Sequence, residues 1–181
     1  MSKFLPASRL NVPAFAQEGK PLVETTLLQN MERLAQEVHA VTPDLIINWE
    51  ARAELRPAAG ADDDIWLHLQ ANTLAPLVCQ RCMGIVATPL NVDQWYRFVA
   101  TEDIAMAQDD ESEEDLLVME PQFDLLAVLE DELLMAFPLV PMHDQCPVAP
   151  VLSAGEDALA APASEKPNPF AMLADLKKKK P

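Results

Sequence analysis

Glycine is scarce, with four in 181 residues. A glycine-rich phosphate loop needs several within one turn, so nucleotide binding of that kind is excluded. Cysteine is nearly as rare: Cys79, Cys82 and Cys146 are all there are. A small odd number does not build a disulfide framework. No run of about 18 apolar residues occurs, so no membrane-spanning helix is expected. MSKFLPASRLNVPAFAQEGK, the first twenty residues, holds no continuous apolar stretch followed by a small-residue cleavage site, and no signal peptide is read there. A reducing cytoplasm is the expected location.

Positive charge is also short. Thirteen Lys and Arg face 29 Asp and Glu, for a formal net charge of −16. Between Arg97 and Lys166 there is no Lys or Arg at all. Such a surface repels nucleic acid at long range and attracts basic partners. Lys177, Lys178, Lys179 and Lys180 run against that sign. They follow a Pro-Asn-Pro-Phe turn and a short stripe in which Phe170, Leu173 and Leu176 share one helical face. Phe170, Leu173 and the four lysines are therefore candidates for binding RNA phosphates or a protein groove.

What is abundant is apolar matter, half of all residues, enough for one core with extensions. The first 21 residues, punctuated by Pro6, Pro13 and Pro21, read as an extended arm. Residues 22–146 read as a single α+β domain. Within it, Thr26–Val38 carries a helical period, and 45–55, 65–78 and 85–100 alternate or are rich in β-branched and aromatic residues. An antiparallel sheet over 45–100 is expected. Pro76 and Pro89 belong at its strand ends or on an edge. Residues 102–118 carry too much charge to pack and read as a mobile acidic loop. A helix at 124–137 is capped by Asp124 and closed by Pro138, with Leu125, Leu126, Leu129, Leu133, Ala136 and Phe137 inward and Glu130, Asp131 and Glu132 outward. The Ala/Pro-rich stretch 147–165 reads as a linker to a terminal motif at 166–181.

Chemistry is concentrated in two short pairs. CQRC (Cys79, Cys82) lies between two strand-like runs, and HDQC (His143, Cys146) repeats the spacing about 60 residues on. Together they offer a tetrahedral Cys3His set for zinc. The competing reading is ordinary thiols on a tight turn, a remnant of a metal site. A redox pair is disfavoured, because no helical pattern follows Cys82. The expectation is no cofactor, with zinc at these four residues as the alternative. His39 and His68 stand alone, no carboxylate pair is singled out, and no Ser/His/Asp set occurs, so no enzyme is expected.

Three stretches, LVCQRCMG, FDLLAVLEDELLMAFPLVPMHD and KPNPFAMLADLK, occur in that order. Jointly they resemble the YceD family, also known as the DUF177 proteins, in its proteobacterial branch. The resemblance implies a cytoplasmic bacterial protein that supports synthesis, processing or stability of 23S ribosomal RNA. It further implies a gene neighbouring one for a large-subunit ribosomal protein, and no established chemistry. The expected partners are 23S rRNA or its precursor, a basic large-subunit ribosomal protein, or both, with no membrane. The alternative is an acidic holdase or adaptor for such a protein without direct RNA contact. Some relatives carry a second Cys-x2-Cys where this chain has His143 and Cys146.

Overall fold

The period-two runs pair as expected. Strands β2 (Ile46–Arg56), β3 (Asp64–Val78) and β4 (Ile85–Val99) form an antiparallel meander. Its register sets Leu69 opposite both Ala51 and Gln94. One face buries Ile47, Trp49, Ala51 and Ala53 from β2, Leu67, Leu69 and Ala71 from β3, and Leu90, Val92, Tyr96 and Phe98 from β4. On β2 the other face exposes Asn48, Glu50 and Arg52. The protein is α+β, described here from a computed structural model that covers residues 6–58 and 63–148. The terminal motif at 166–181, nearly all of the expected linker and the first five residues lie outside the described residues.

Two further strands complete the sheet in the order β1-β2-β3-β4-β5. Strand β1 (Leu22–Leu27) pairs antiparallel with β2, so the expected helix over Thr26–Val38 forms only as α2 (Glu32–Glu37), after a 3-10 turn at Leu28–Asn30. Val23, Thr25 and Thr26 are β-branched and fit a pleated edge better than a helix. The Thr26 hydroxyl also accepts from Nε1 of the buried Trp49 at 3.0 Å. Pro76 and Pro89 lie where β3 has no β2 partner and β4 no β5 partner, which spares both the missing N–H.

Within the expected extended arm, the described residues form a 3-10 turn and a helix instead. A 3-10 turn at Ala7–Arg9 leads to Leu10, whose backbone exchanges hydrogen bonds with Phe123 at 2.8 and 3.0 Å. Helix α1 (Val12–Glu18) follows and sends Val12, Phe15 and Ala16 into the core. The Asn11 side chain caps it by accepting from Ala14 N, Pro13 stands in its first turn, and Gly19 ends it at φ 63°.

The acidic stretch is likewise ordered structure rather than a loop. Helix α3 (Glu102–Gln108), a 3-10 turn at Asp109–Glu111 and strand β5 (Asp115–Val118) form a crossover that lays β5 parallel to β4. One cation makes this possible. Arg97 on β4 donates to Glu114 Oε1 at 2.6 Å, Ser112 Oγ at 2.9 Å and Gln108 Oε1 at 3.1 Å. A three-way anchor of this kind offsets the repulsion among the neighbouring acids.

Helix α4 (Leu125–Met135) starts where expected, with Asp124 accepting from Ala127 N at 3.1 Å. Leu125, Leu129 and Leu133 are fully buried. Glu130 is not outward as its place in the sequence suggested. It is buried, and its Oε1 accepts from the backbone N–H groups of Arg33 and Leu34 at 2.7 and 3.1 Å. Those groups open α2 and have no partner inside that helix, so a side chain from α4 supplies its cap. Arg33 adds Nε to Glu130 at 3.0 Å and also pairs with Asp131.

Candidate metal centre

Cys79 directly follows β3, and the turn Cys79–Gly84 returns the chain into β4. Two backbone bonds close that turn, Met83 N to Cys79 O at 2.9 Å and Cys79 N to Gly84 O at 2.8 Å, with Met83 in the left-handed region at φ 59°. After α4 the chain comes back as the irregular segment 138–146. Gln80 N donates to Pro141 O at 2.9 Å, and the Arg81 guanidinium donates to the carbonyl oxygens of His143 and Asp144. These contacts set the two x2 pairs against each other.

The donor atoms of Cys79, Cys82, His143 and Cys146 all lie within 4.8 Å of one another. The sulfurs of Cys79 and Cys146 are 3.9 Å apart, and Cys82 Sγ lies 3.5 Å from His143 Nδ1. A tetrahedral zinc ion with ordinary bond lengths sets two thiolates about 3.8 Å apart and a thiolate and imidazole nitrogen about 3.5 Å apart. The cysteines are unbridged. His143 Nε2 is 3.0 Å from the carbonyl oxygen of Ile85. Nε2 therefore carries the proton and donates, which leaves the Nδ1 lone pair for the cluster.

Thiol ionisation agrees with a metal-ligand role. Burial pushes the Cys79 thiol up, but the backbone N–H groups of His143, Cys82 and Arg81 outweigh it and bring the pKa down to about 5. Burial pushes Cys146 up, and the neighbouring sulfurs of Cys82 and Cys79 push the same way. The Cys79 thiolate is thus favoured without any ion, and a divalent cation would favour further deprotonation of the cluster. Four protein donors leave no open coordination position, so the arrangement suits a structural ion and not a catalytic one.

Sequence spacing identified the four candidate ligands. It missed Arg81, which sits between the cysteines and ties down the second pair, and the Ile85 carbonyl that orients His143. Phe170, Leu173 and Lys177–Lys180 lie outside the described residues. Among the described residues no helix is long and apolar enough to cross a membrane.

An α+β chain whose central hairpin carries a Cys3His cluster closed by a later segment is the class that fold and geometry define. The chain belongs to the YceD family: the family described as "Large ribosomal RNA subunit accumulation protein YceD" matches residues 67–177. That span holds both Cys/His pairs and the Pro-Asn-Pro-Phe element. The "Large ribosomal RNA subunit accumulation protein YceD" of Haemophilus influenzae is 40% identical over 115 residues, covering 57% of this chain and 60% of that protein. The chain thus aligns with less than two thirds of that relative's length. No solved structure matches.

Proposed function

We propose that this chain is a ribosome biogenesis factor that supports accumulation of 23S rRNA, through its synthesis, processing or stability, without catalysing a reaction itself. The observation that carries the reading is the family match over residues 67–177. The relative in Haemophilus influenzae is named for accumulation of the large ribosomal RNA and not for a reaction. The chain works in the cytoplasm.

Zinc at Cys79, Cys82, His143 and Cys146 holds the segment after α4 to the β3–β4 hairpin; the donor spacing and the proton on Nε2 support this. The body engages a basic polypeptide, a large-subunit ribosomal protein, while Lys177–Lys180, with Phe170 and Leu173, touch RNA phosphates or a protein groove. The adaptor or holdase reading, without direct RNA contact, draws on one specific feature. Residues 98–148 contain fourteen acids and no Lys or Arg.

The test is complementation. In Haemophilus influenzae lacking its YceD relative, the ratio of 23S to 16S rRNA is measured with and without this chain. Restoration of a depressed ratio is the expected result. A ratio that the deletion does not change, or that this chain leaves depressed, overturns the assignment.

A further inference from the structure

Strand β4 has a neighbour on both sides only near its end. Pairing with β5 begins at Tyr96, so from Ile85 to Trp95 the edge turned away from β3 has no strand partner. Three hydrogen bonds fix which groups point there. Ile85 O accepts from His143 Nε2 at 3.0 Å and Val99 O from Met119 N at 2.8 Å, both away from β3. Pro76, in register with Ala87, gives its carbonyl to His39 N at 2.8 Å, on the side away from β4. Odd-numbered residues of β4 therefore aim N–H and C=O outward. Ala87 and Asn91 present both groups, and Pro89 a carbonyl. Between residues 86–89 and 140–145 runs a groove of about 880 Å3, within the roughly 300–1,000 Å3 of ordinary ligand sites. On its far wall Val140 and Met142 are half-exposed, and Leu139 beside them is fully exposed. Neighbouring apolar side chains left in water mark a contact surface. Gln80 N, bonded to Pro141 O at 2.9 Å, and Arg81 hold that wall against the hairpin.

We propose that this groove takes one extended segment of a basic polypeptide. The segment adds to β4 as a further strand along residues 87–91 and sets alternate apolar side chains against Val140 and Met142. Because Pro89 has no N–H to donate, the added strand leaves one carbonyl to water. The inference deepens the adaptor reading and rests on it. Outward N–H and C=O groups that recur about every 6.7 Å match the backbone of a polypeptide. Charge decides which polypeptide. Asp144 lines the groove, is exposed and makes no ion pair among the described residues. Arg81, the one Lys or Arg among the described lining residues, is committed to the carbonyls of His143 and Asp144. A cationic segment therefore fits, and RNA phosphate does not. A second copy of this chain would bring a formal charge of −16 against −16.

The test uses the full chain, 15N-labelled, with the acetylated, amidated peptide Lys-Val-Lys-Val-Arg-Val-Lys as probe. Saturable shifts at the amides of Ala87, Thr88 and Asn91 are expected. The same peptide N-methylated at every residue keeps its charge, loses its backbone donors and binds at least about tenfold more weakly. Ala87→Pro removes an outward N–H without breaking a ladder bond; it weakens binding about fivefold and keeps the thermal midpoint. Val140→Ser with Met142→Ser weakens binding about tenfold through the apolar wall. Asp109→Asn with Asp110→Asn removes two charges elsewhere and weakens it less than either. Equal binding of the methylated peptide, or shifts centred on Asp109–Glu111, overturns the proposal. So do shifts at Ala87 and Asn91 that appear without peptide as protein concentration rises, which mark a second copy. The same shifts on Phe170→Ser with Leu173→Ser, again without peptide, mark the chain's own C-terminal residues as occupant and also overturn it. A chain that restores 23S rRNA in cells but binds no peptide overturns the groove and leaves the functional reading standing. An Ala87→Pro chain that loses the peptide yet restores 23S rRNA supports the groove and severs it from ribosome assembly.

Discussion

Removing the zinc proposed at the Cys3His cluster should loosen one corner of the molecule and leave the rest folded. An ion held by both x2 pairs closes a loop of 61 residues between Cys82 and His143. Closing a loop of that length with a cross-link contributes about 4 kcal/mol in the chain-entropy account. For a chain of this size that corresponds to a fall of about 10 °C in the thermal midpoint when the ion is lost. The β3–β4 ladder, thirteen paired residues long, does not depend on the ion, nor does the core under α4. Far-ultraviolet dichroism at room temperature should therefore persist after chelation, unlike that of a small zinc finger. The assay is metal analysis of protein purified without chelator, followed by melts with and without EDTA and for Cys82→Ser. One zinc per chain and coincident melts for the EDTA-treated and Cys82→Ser proteins are expected. A stoichiometry near zero, or a Cys82→Ser midpoint equal to that of the parent, refutes the zinc reading. Complete unfolding on chelation refutes the premise that the sheet stands alone.

Three other outcomes are expected. Glu130→Ala strips the opening N–H groups of α2 of their acceptor and should cost about 3 kcal/mol by urea unfolding; a loss below about 1 kcal/mol would show that α2 finds another cap. The Arg97 guanidinium holds the Glu114 carboxyl below its ordinary value of 4.5. A depressed folded-state pKa stabilises above the ordinary value, and that contribution disappears as pH falls through the folded one. Glu114→Gln should accordingly be less stable than the parent at neutral pH, with the gap closing in acid; a gap that persists below both values contradicts the assignment. Changing Lys177, Lys178, Lys179 and Lys180 to Gln should flatten the salt dependence of binding to 23S rRNA fragments, measured by filter retention; an unaltered slope removes those lysines from the RNA contact.

Local signals carried the central strands and α4, because alternation over ten or more residues and an Asp cap ahead of a leucine stripe act within one element. The same kind of signal is present for α1. Pro13 is a helix-start residue once Asn11 is seen as its cap, and Gly19 is the matching stop. The acidic stretch could not be read from itself, since its order depends on Arg97, which precedes it on another element. Glu130 was hidden for a similar reason: the groups it caps lie 97 and 96 residues away. At the Cys3His cluster, spacing identified candidate ligands but not their orientation. Which imidazole nitrogen faces the sulfurs is decided by the Ile85 carbonyl, and no periodicity announces it.

The distribution of cations shows how the chain can afford an acidic second half. All seven Lys and Arg among the described residues precede residue 98. Three of them reach forward: Arg33 to Glu130 and Asp131, Arg81 to the carbonyls after α4, and Arg97 to the crossover. Each joins segments that would otherwise repel or drift apart, and each is largely spent in doing so. Lys20 is taken by Glu18, and Arg56 by Glu54 and the rings of Trp66 and Trp95. Little positive charge is left in the described residues to neutralise α4 and β5 from within.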